Sequence, residues 1–123
     1  MKSTDFRKLI VWQKAMDLTI EVYSLVRLLP REEIYSLSDQ MRRSAVSIPA
    51  NIAEGQGRDT DKEYTRFISI ARGSLWELLT HIEICERLNY ISTAQSAKSR
   101  DLITEISKML LALSNAITPK SNV

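Results

Sequence analysis

The sequence predicts an all-α fold: a single domain built as an antiparallel up-down four-helix bundle that assembles with copies of itself. Three observations carry this reading. Apolar residues recur at intervals of three and four in four successive segments, which draws one face of a helix in each. Glycine and proline number only three each in 123 residues, too few for the many corners of a sheet protein. Two of the segments also carry more apolar surface than one bundle needs to hide.

The first helix is expected over 6–29, with Asp5 as N-cap and Pro30 as its stop. Trp12, Met16, Tyr23 and Val26 make one stripe on it, and Val11, Leu18, Val22, Leu25 and Leu29 make another, about 100° round the wheel. The second helix is expected over 38–56, from Ser38 as N-cap to Gly55 or Gly57, where glycine can take the left-handed conformation of a helix end. Its core stripe is Met41, Ala45, Ile48 and Ile52, and beside it run Val46, Pro49 and Ala53 with Arg42 at the end. Pro49 cannot donate to the carbonyl of Ala45, so a kink is expected, with Ser44, Ser47 and Asn51 at hand to satisfy the freed group.

The third helix is expected over 61–88. Thr60-Asp61-Lys62-Glu63 forms a capping box ahead of the stripe Tyr64, Ile68, Ala71, Leu75, Leu78, Ile82 and Cys85. Gly73-Ser74 inside it is unfavourable for a helix and reads as a place where another backbone comes close. The fourth is expected over 93–117, opened by the capping box Ser92-Thr93-Ala94-Gln95 and closed before Pro119. Its stripe is Ile103, Ile106, Leu110, Leu113 and Ile117. Lys98, Asp101, Glu105 and Lys108 give it a mixed-charge, wet face. The connecting segments are short enough for antiparallel neighbours.

An ordinary surface helix needs an apolar arc of only about 100°, so the surplus on the first two helices asks for a partner, and another copy is the simplest one. Val11, Leu18 and Leu25 on the first helix, with Val46, Pro49 and Ala53 on the second, are the expected contacts between copies. The competing reading is a helix packed deep between its neighbours.

Composition narrows the function classes. Apolar residues make up 44% and charged residues 26%, ordinary for a globular chain. A net charge of +2 gives no global case for nucleic acid. Cys85 is the one cysteine, which excludes an intrachain disulfide. No signal-peptide block lies within the first seventeen residues and no apolar run spans a bilayer, so a cytoplasmic chain with no membrane partner is expected.

Arg42, Arg43, Arg58, Lys62 and Arg66 put five positive groups within 25 residues, candidates for phosphate contact. Asp39, Glu54, Asp59, Asp61 and Glu63 are interleaved with them and cancel the count, so these residues taken alone favour a solvated surface of ion pairs. Glu77, His81 and Cys85 form an i, i+4, i+8 series, but the paired Glu-x-x-His motifs of a di-iron bundle are missing. Cys85 falls on the core stripe. One histidine, no nucleophile motif, and a bare Gly55-Gln56-Gly57 without a preceding strand leave no enzyme, metal or cofactor to expect.

Several stretches carry a family resemblance: FRKLIVWQKAMDL at 6–18, LSDQMRRSAVSIPANIAEGQGR at 37–58, RFISIARGSLWEL at 66–78, and Leu88-Asn89-Tyr90-Ile91. In these the chain resembles the four-helix bundle family named for proteins encoded within 23S rRNA intervening sequences. Ser36 departs from the glycine usual there. The resemblance implies a homo-oligomeric ring, with a pentamer as the expected assembly. It also implies a distant similarity to accessory proteins of diversity-generating retroelements, which engage nucleic acid and a reverse transcriptase. The expected function is therefore a non-catalytic oligomeric bundle that binds structured RNA or DNA weakly. The alternative is a protein-protein scaffold with no nucleic-acid role.

Overall fold

The computed structural model describes residues 5–117, and every regular element among them is helical. Four helices follow one another: α1 (Ile10–Val26), α2 (Leu37–Gln56), α3 (Asp61–Arg87) and α4 (Thr93–Ile117). Each packs on the next in chain order and α4 closes back on α1, which makes an up-down bundle; the α2–α3 seam is the most extensive. Pro119, the expected stop of α4, lies outside the described residues.

The first helix is shorter than the sequence predicts, for local reasons. The Asp5 carboxylate accepts from the Arg7 backbone N–H at 2.9 Å and grips its guanidinium at 2.7 Å, closing a separate 3-10 turn over Phe6–Lys8. These bonds from Arg7 hold the carboxyl at a pKa of about 2. Leu9 is then extended (φ −72°, ψ 125°) and α1 begins at Ile10. At the other end Leu28 and Leu29 donate to the carbonyls of Leu25 and Val26, tightening the last turn ahead of Pro30.

Helix α2 opens one residue before expectation. Ser38 is buried rather than capping, Ser36 at the cap position makes no side-chain bond, and the Glu33 carboxylate instead accepts from the Leu37 N–H at 3.3 Å. No glycine ends a helix in the left-handed region: Gly57 has φ −88°, and the one positive φ among the described residues belongs to Asn89 (63°), just past α3. Gly55 serves packing instead. A Cβ there would come within 3.0 Å of Phe67 and Tyr64, so its bareness lets α2 and α3 close together at that end. Ser74 also sits in this seam, its hydroxyl 2.9 Å from that of Ser47, whereas a Cβ on Gly73 would meet nothing within 4 Å. The close approach expected at Gly73-Ser74 therefore belongs to Ser74 alone.

The capping box of α4 forms in full, and that of α3 by its hydroxyl half. The Thr60 hydroxyl accepts from the Glu63 N–H at 3.1 Å, and Ser92 and Gln95 exchange bonds of 2.9 and 3.1 Å. Pro49 lies buried within α2, and the Ala45 carbonyl it deprives is met from across the bundle: the Thr19 hydroxyl of α1 lies 3.3 Å from it and 2.8 Å from the Ala15 carbonyl. Asn51 instead bonds the carbonyl and hydroxyl of Ser47.

The core runs the length of the bundle through Leu18, Val22, Met41, Ile48, Ile52, Ile68, Leu75, Leu78, Ile82, Ile103, Ile106 and Leu110, each essentially inaccessible. Full burial of each large aliphatic contributes roughly 1.5–3 kcal/mol, so this core dominates the polar links around it. Those links fix rotation and register. Lys14 meets Glu105 and Lys98 meets Glu21 between α1 and α4, while Arg100 forks onto Glu86 (2.5 and 2.9 Å) and reaches Glu83 at 3.3 Å between α4 and α3.

Candidate functional site

The five basic residues do not form one patch. Arg42 and Arg43 lie near the start of α2, and Arg58 follows its end, about 20 Å away along a helix rising 1.5 Å per residue. Arg43 pairs with Asp39 at 2.9 Å, and Arg42 donates to the Ile34 carbonyl at 3.3 Å. At the far end Arg58 pairs with Glu54 at 2.5 Å and Arg66 with Glu63 at 3.4 Å. Both guanidiniums rest on Phe67, 4.8 and 4.6 Å from its ring centroid. Lys62, one turn before Arg66, is exposed and has no ion pair among the described residues. The structure thus gathers Arg58 and Arg66 on an aromatic ring that the spacing of charges did not single out. It also supplies three of the five cations with a carboxylate.

The expected contact residues are redistributed by the fold. Val11, Leu18 and Leu25 are 5, 0 and 3% exposed within a single chain, and Pro49 is buried. None of these four is available to a second copy. Ala53 is half-buried and Val46 is 44% exposed. The two stripes of α1 have exchanged roles. The purely aliphatic one faces the core with Ala15 between its large members, and of the other stripe Met16 and Tyr23 face outward, where an amphipathic ring loses least, while Val26 is buried and Trp12 packs against the core.

Met16, Ile20 (66% exposed) and Tyr23 on α1, with Val46 on α2, form the outer apolar face. Between Tyr23 and Val46 lies an open groove of about 410 Å³ completed by Asp39, Arg42, Arg43 and Ser47. On the opposite side, between α3 and α4, Trp76 (50% exposed) and Leu79 flank a notch of about 320 Å³ with Ile103, Ser107 and Lys108, and Leu111 (45% exposed) lies one turn beyond Ser107. Ile20, Trp76 and Leu111 went unnoticed as candidates because neither flank reads as the periodic core stripe.

The chemistry of the interior is quiet. Burial pushes the Cys85 thiol up to about 11, and its sulfur lies 3.6 Å from that of Met41. His81 is buried, with no partner for Nδ1, and burial holds its pKa down against the opposing pull of Glu77. Among the described residues no three His, Cys, Asp or Glu side chains converge to hold a metal, and no helix is long and apolar enough to cross a membrane.

Fold and surfaces together define a small helical bundle whose outward features include two apolar flanks and several surface ion pairs. The chain belongs to the 23S rRNA-intervening sequence protein family, whose sequence pattern matches residues 7–112. It is similar to a crystal structure from Bacteroides thetaiotaomicron, a protein of unknown function from the S23 ribosomal protein family. The two share 26% identity and a TM-score of 0.79, over 85% of this chain and 98% of that one. No protein of curated function matches the sequence.

Proposed function

We propose that the protein is a non-catalytic docking module that self-associates through the outer face of α1 and α2, with a homo-oligomeric ring as the expected form. The observation that supports this most is the exposure of Met16, Ile20, Tyr23 and Val46 as neighbours across one helix pair. Met16, Ile20, Tyr23 and Val46 are 39, 66, 42 and 44% exposed, so covering what remains gains roughly 3–6 kcal/mol at about 1.5–3 kcal/mol per fully buried side chain. That reaches the lower end of the roughly 4–15 kcal/mol lost on association, so a weak, concentration-dependent assembly follows. Light scattering on the purified chain tests it. The native protein is expected above the 14.1 kDa of one chain, and Ile20→Glu with Val46→Glu at that mass with helical content unchanged. A native protein that stays at one chain's mass at millimolar concentration overturns the reading. Leu18→Glu is not a usable probe, since it would place a charge in the core.

A second reading, weak nucleic-acid binding, is supported by Arg58 and Arg66 braced on Phe67 beside the unpaired Lys62. The carboxylates of Glu54 and Glu63 weigh against it by offsetting both guanidiniums. If it holds, Arg58→Gln, Lys62→Gln and Arg66→Gln together weaken binding of a structured RNA and flatten its decline with salt by about 0.9 per lost phosphate contact on a double-log plot. Absence of binding by the native protein at low ionic strength rules it out.

A further inference from the structure

Because the helices run up and down, the α1–α2 connection and the α3–α4 turn meet at one end of the bundle, and the Tyr90 hydroxyl ties them by donating to the Glu33 carboxylate at 2.9 Å. That carboxylate also accepts from the Leu37 N–H, and the Arg42 guanidinium donates to the Ile34 carbonyl at 3.3 Å, so the connection is held in one shape. Leu29, Leu37 and Ile91 turn inward here and are buried. Leu28, Ile34 and Leu88 are left about half exposed, and Tyr35 is 92% exposed, the highest fraction of any large apolar side chain among the described residues. Charge at this end is one-sided. Arg27, Arg31 and Arg87 are exposed, and neither they nor Arg42 have an ion pair among the described residues. The nearby acids are engaged, Glu33 by Tyr90, Glu86 by Arg100 and Asp39 by Arg43, which leaves Glu32 as the exposed exception.

We infer that this end of the bundle is a docking surface for an acidic segment of a different protein, one that carries aliphatic or aromatic side chains between its carboxylates. Apolar side chains standing in water amid unpaired guanidiniums gain most from a partner that supplies both a cover and carboxylates, which arginine grips with two parallel hydrogen bonds. Tyrosine and arginine are also the side chains that protein interfaces concentrate. Neighbouring helices of a bundle lie about 8–10 Å apart, so this end is about 20 Å across. An extended segment of about six residues spans that width at about 3.3 Å each. Nucleic acid fits less well, since Leu28, Ile34 and Leu88 offer no ring for a base to stack on and Glu32 repels phosphate. An anionic lipid surface presents its charge to Glu32 and the arginines alike, whereas a peptide can place its carboxylates beside the arginines only. None of Met16, Ile20, Tyr23 and Val46 belongs to this surface, so it stands apart from the self-association proposed above.

Selection on the native chain at low salt, from a phage-displayed library of random peptides long enough to span this end, tests the inference. Enriched peptides are expected to carry Asp or Glu beside Leu, Ile or Phe, and to bind more weakly as salt rises. With one such synthetic peptide followed by fluorescence anisotropy, Arg27→Gln with Arg31→Gln is expected to raise Kd about tenfold, and Tyr35→Ser by a similar factor. Glu32→Gln is expected to lower Kd severalfold, an opposite sign that damage to the fold would not give. Circular dichroism of each variant checks that its helices are kept. If no acidic peptide is enriched, or if these variants leave Kd unchanged, the inference is wrong. Binding to phosphatidylserine vesicles or to a single-stranded RNA that the same variants abolish, with no peptide enriched, would assign the end to lipid or nucleic acid and overturns it as well.

Discussion

Gly55 and Gly73 allow the packing argument to be tested with one chemical change made twice. Replacing an interior helical glycine by alanine gains about 1 kcal/mol by restricting the unfolded chain. Gly73 faces open space on α3, so Gly73→Ala is expected to keep that gain and raise Tm by about 3–5 °C for a chain of this size. Gly55 lies in the last turn of α2, where the gain is smaller. Its new methyl would meet the Phe67 Cβ at 3.0 Å, Tyr64 Cδ1 at 3.0 Å and the Tyr64 carbonyl at 3.3 Å. Overpacking of this kind costs roughly 1–3 kcal/mol, so Gly55→Ala is expected to be net destabilising by about 0.5–2 kcal/mol. Thermal unfolding followed at 222 nm, at one protein concentration so that assembly is held constant, reads both shifts. Two shifts of the same sign and size would show that the α2–α3 seam has room to spare and refute the role given to Gly55.

Two further outcomes follow from the interior polar groups. Thr19→Val removes the hydroxyl near the Ala45 carbonyl, and is expected to cost about 1–2 kcal/mol in urea unfolding. In a Pro49→Ala background the restored amide can meet that carbonyl, so most of the cost should vanish; strict additivity of the two changes would refute the assignment. His81 is held neutral by burial, its folded pKa below the ordinary value near 6.5. The folded state then binds fewer protons there, so His81's contribution to stability is complete above about pH 6.5 and is lost as pH falls toward the folded pKa. His81→Gln should flatten the decline in urea midpoint between about pH 7 and pH 5, and an unchanged decline would place the acid sensitivity elsewhere.

The fold was legible because its signals are local and repeated. Ser92 and Gln95 close a reciprocal capping box, and Thr60 caps the Glu63 N–H, since both partners lie within one turn. The stripes from Met41 to Ile52 and from Tyr64 to Cys85 fill the core at the spacing that draws them. Local sequence was less informative where a bond crosses between elements. The start of α1 depends on how Asp5 folds back on Arg7, and the start of α2 on a carboxylate from the preceding turn. The group that answers Pro49 is Thr19 of α1, 26 residues before the Ala45 carbonyl it approaches, and no window on α2 could have supplied it.

The candidate surfaces were half legible for a different reason. Periodicity reports that two stripes exist on α1 but not which one turns inward, because each satisfies the same 3.6-residue rhythm. The choice is made by the neighbours. Ala15 permits close approach along the Val11–Leu18–Val22–Leu25 line, and Lys14 and Glu21 then reach Glu105 and Lys98 on α4. That rotation carries Met16, Ile20 and Tyr23 outward beside Val46. Charge runs suffer the same ambiguity. Five cations close in sequence are divided by the length of α2 into two groups, and three of them find a carboxylate within one helical turn. A surface whose charges are already paired holds its neighbours weakly, whereas an apolar flank in water gains from every contact that covers it. The balance of this molecule's exterior therefore favours association through its apolar surfaces over attraction through those paired arginines.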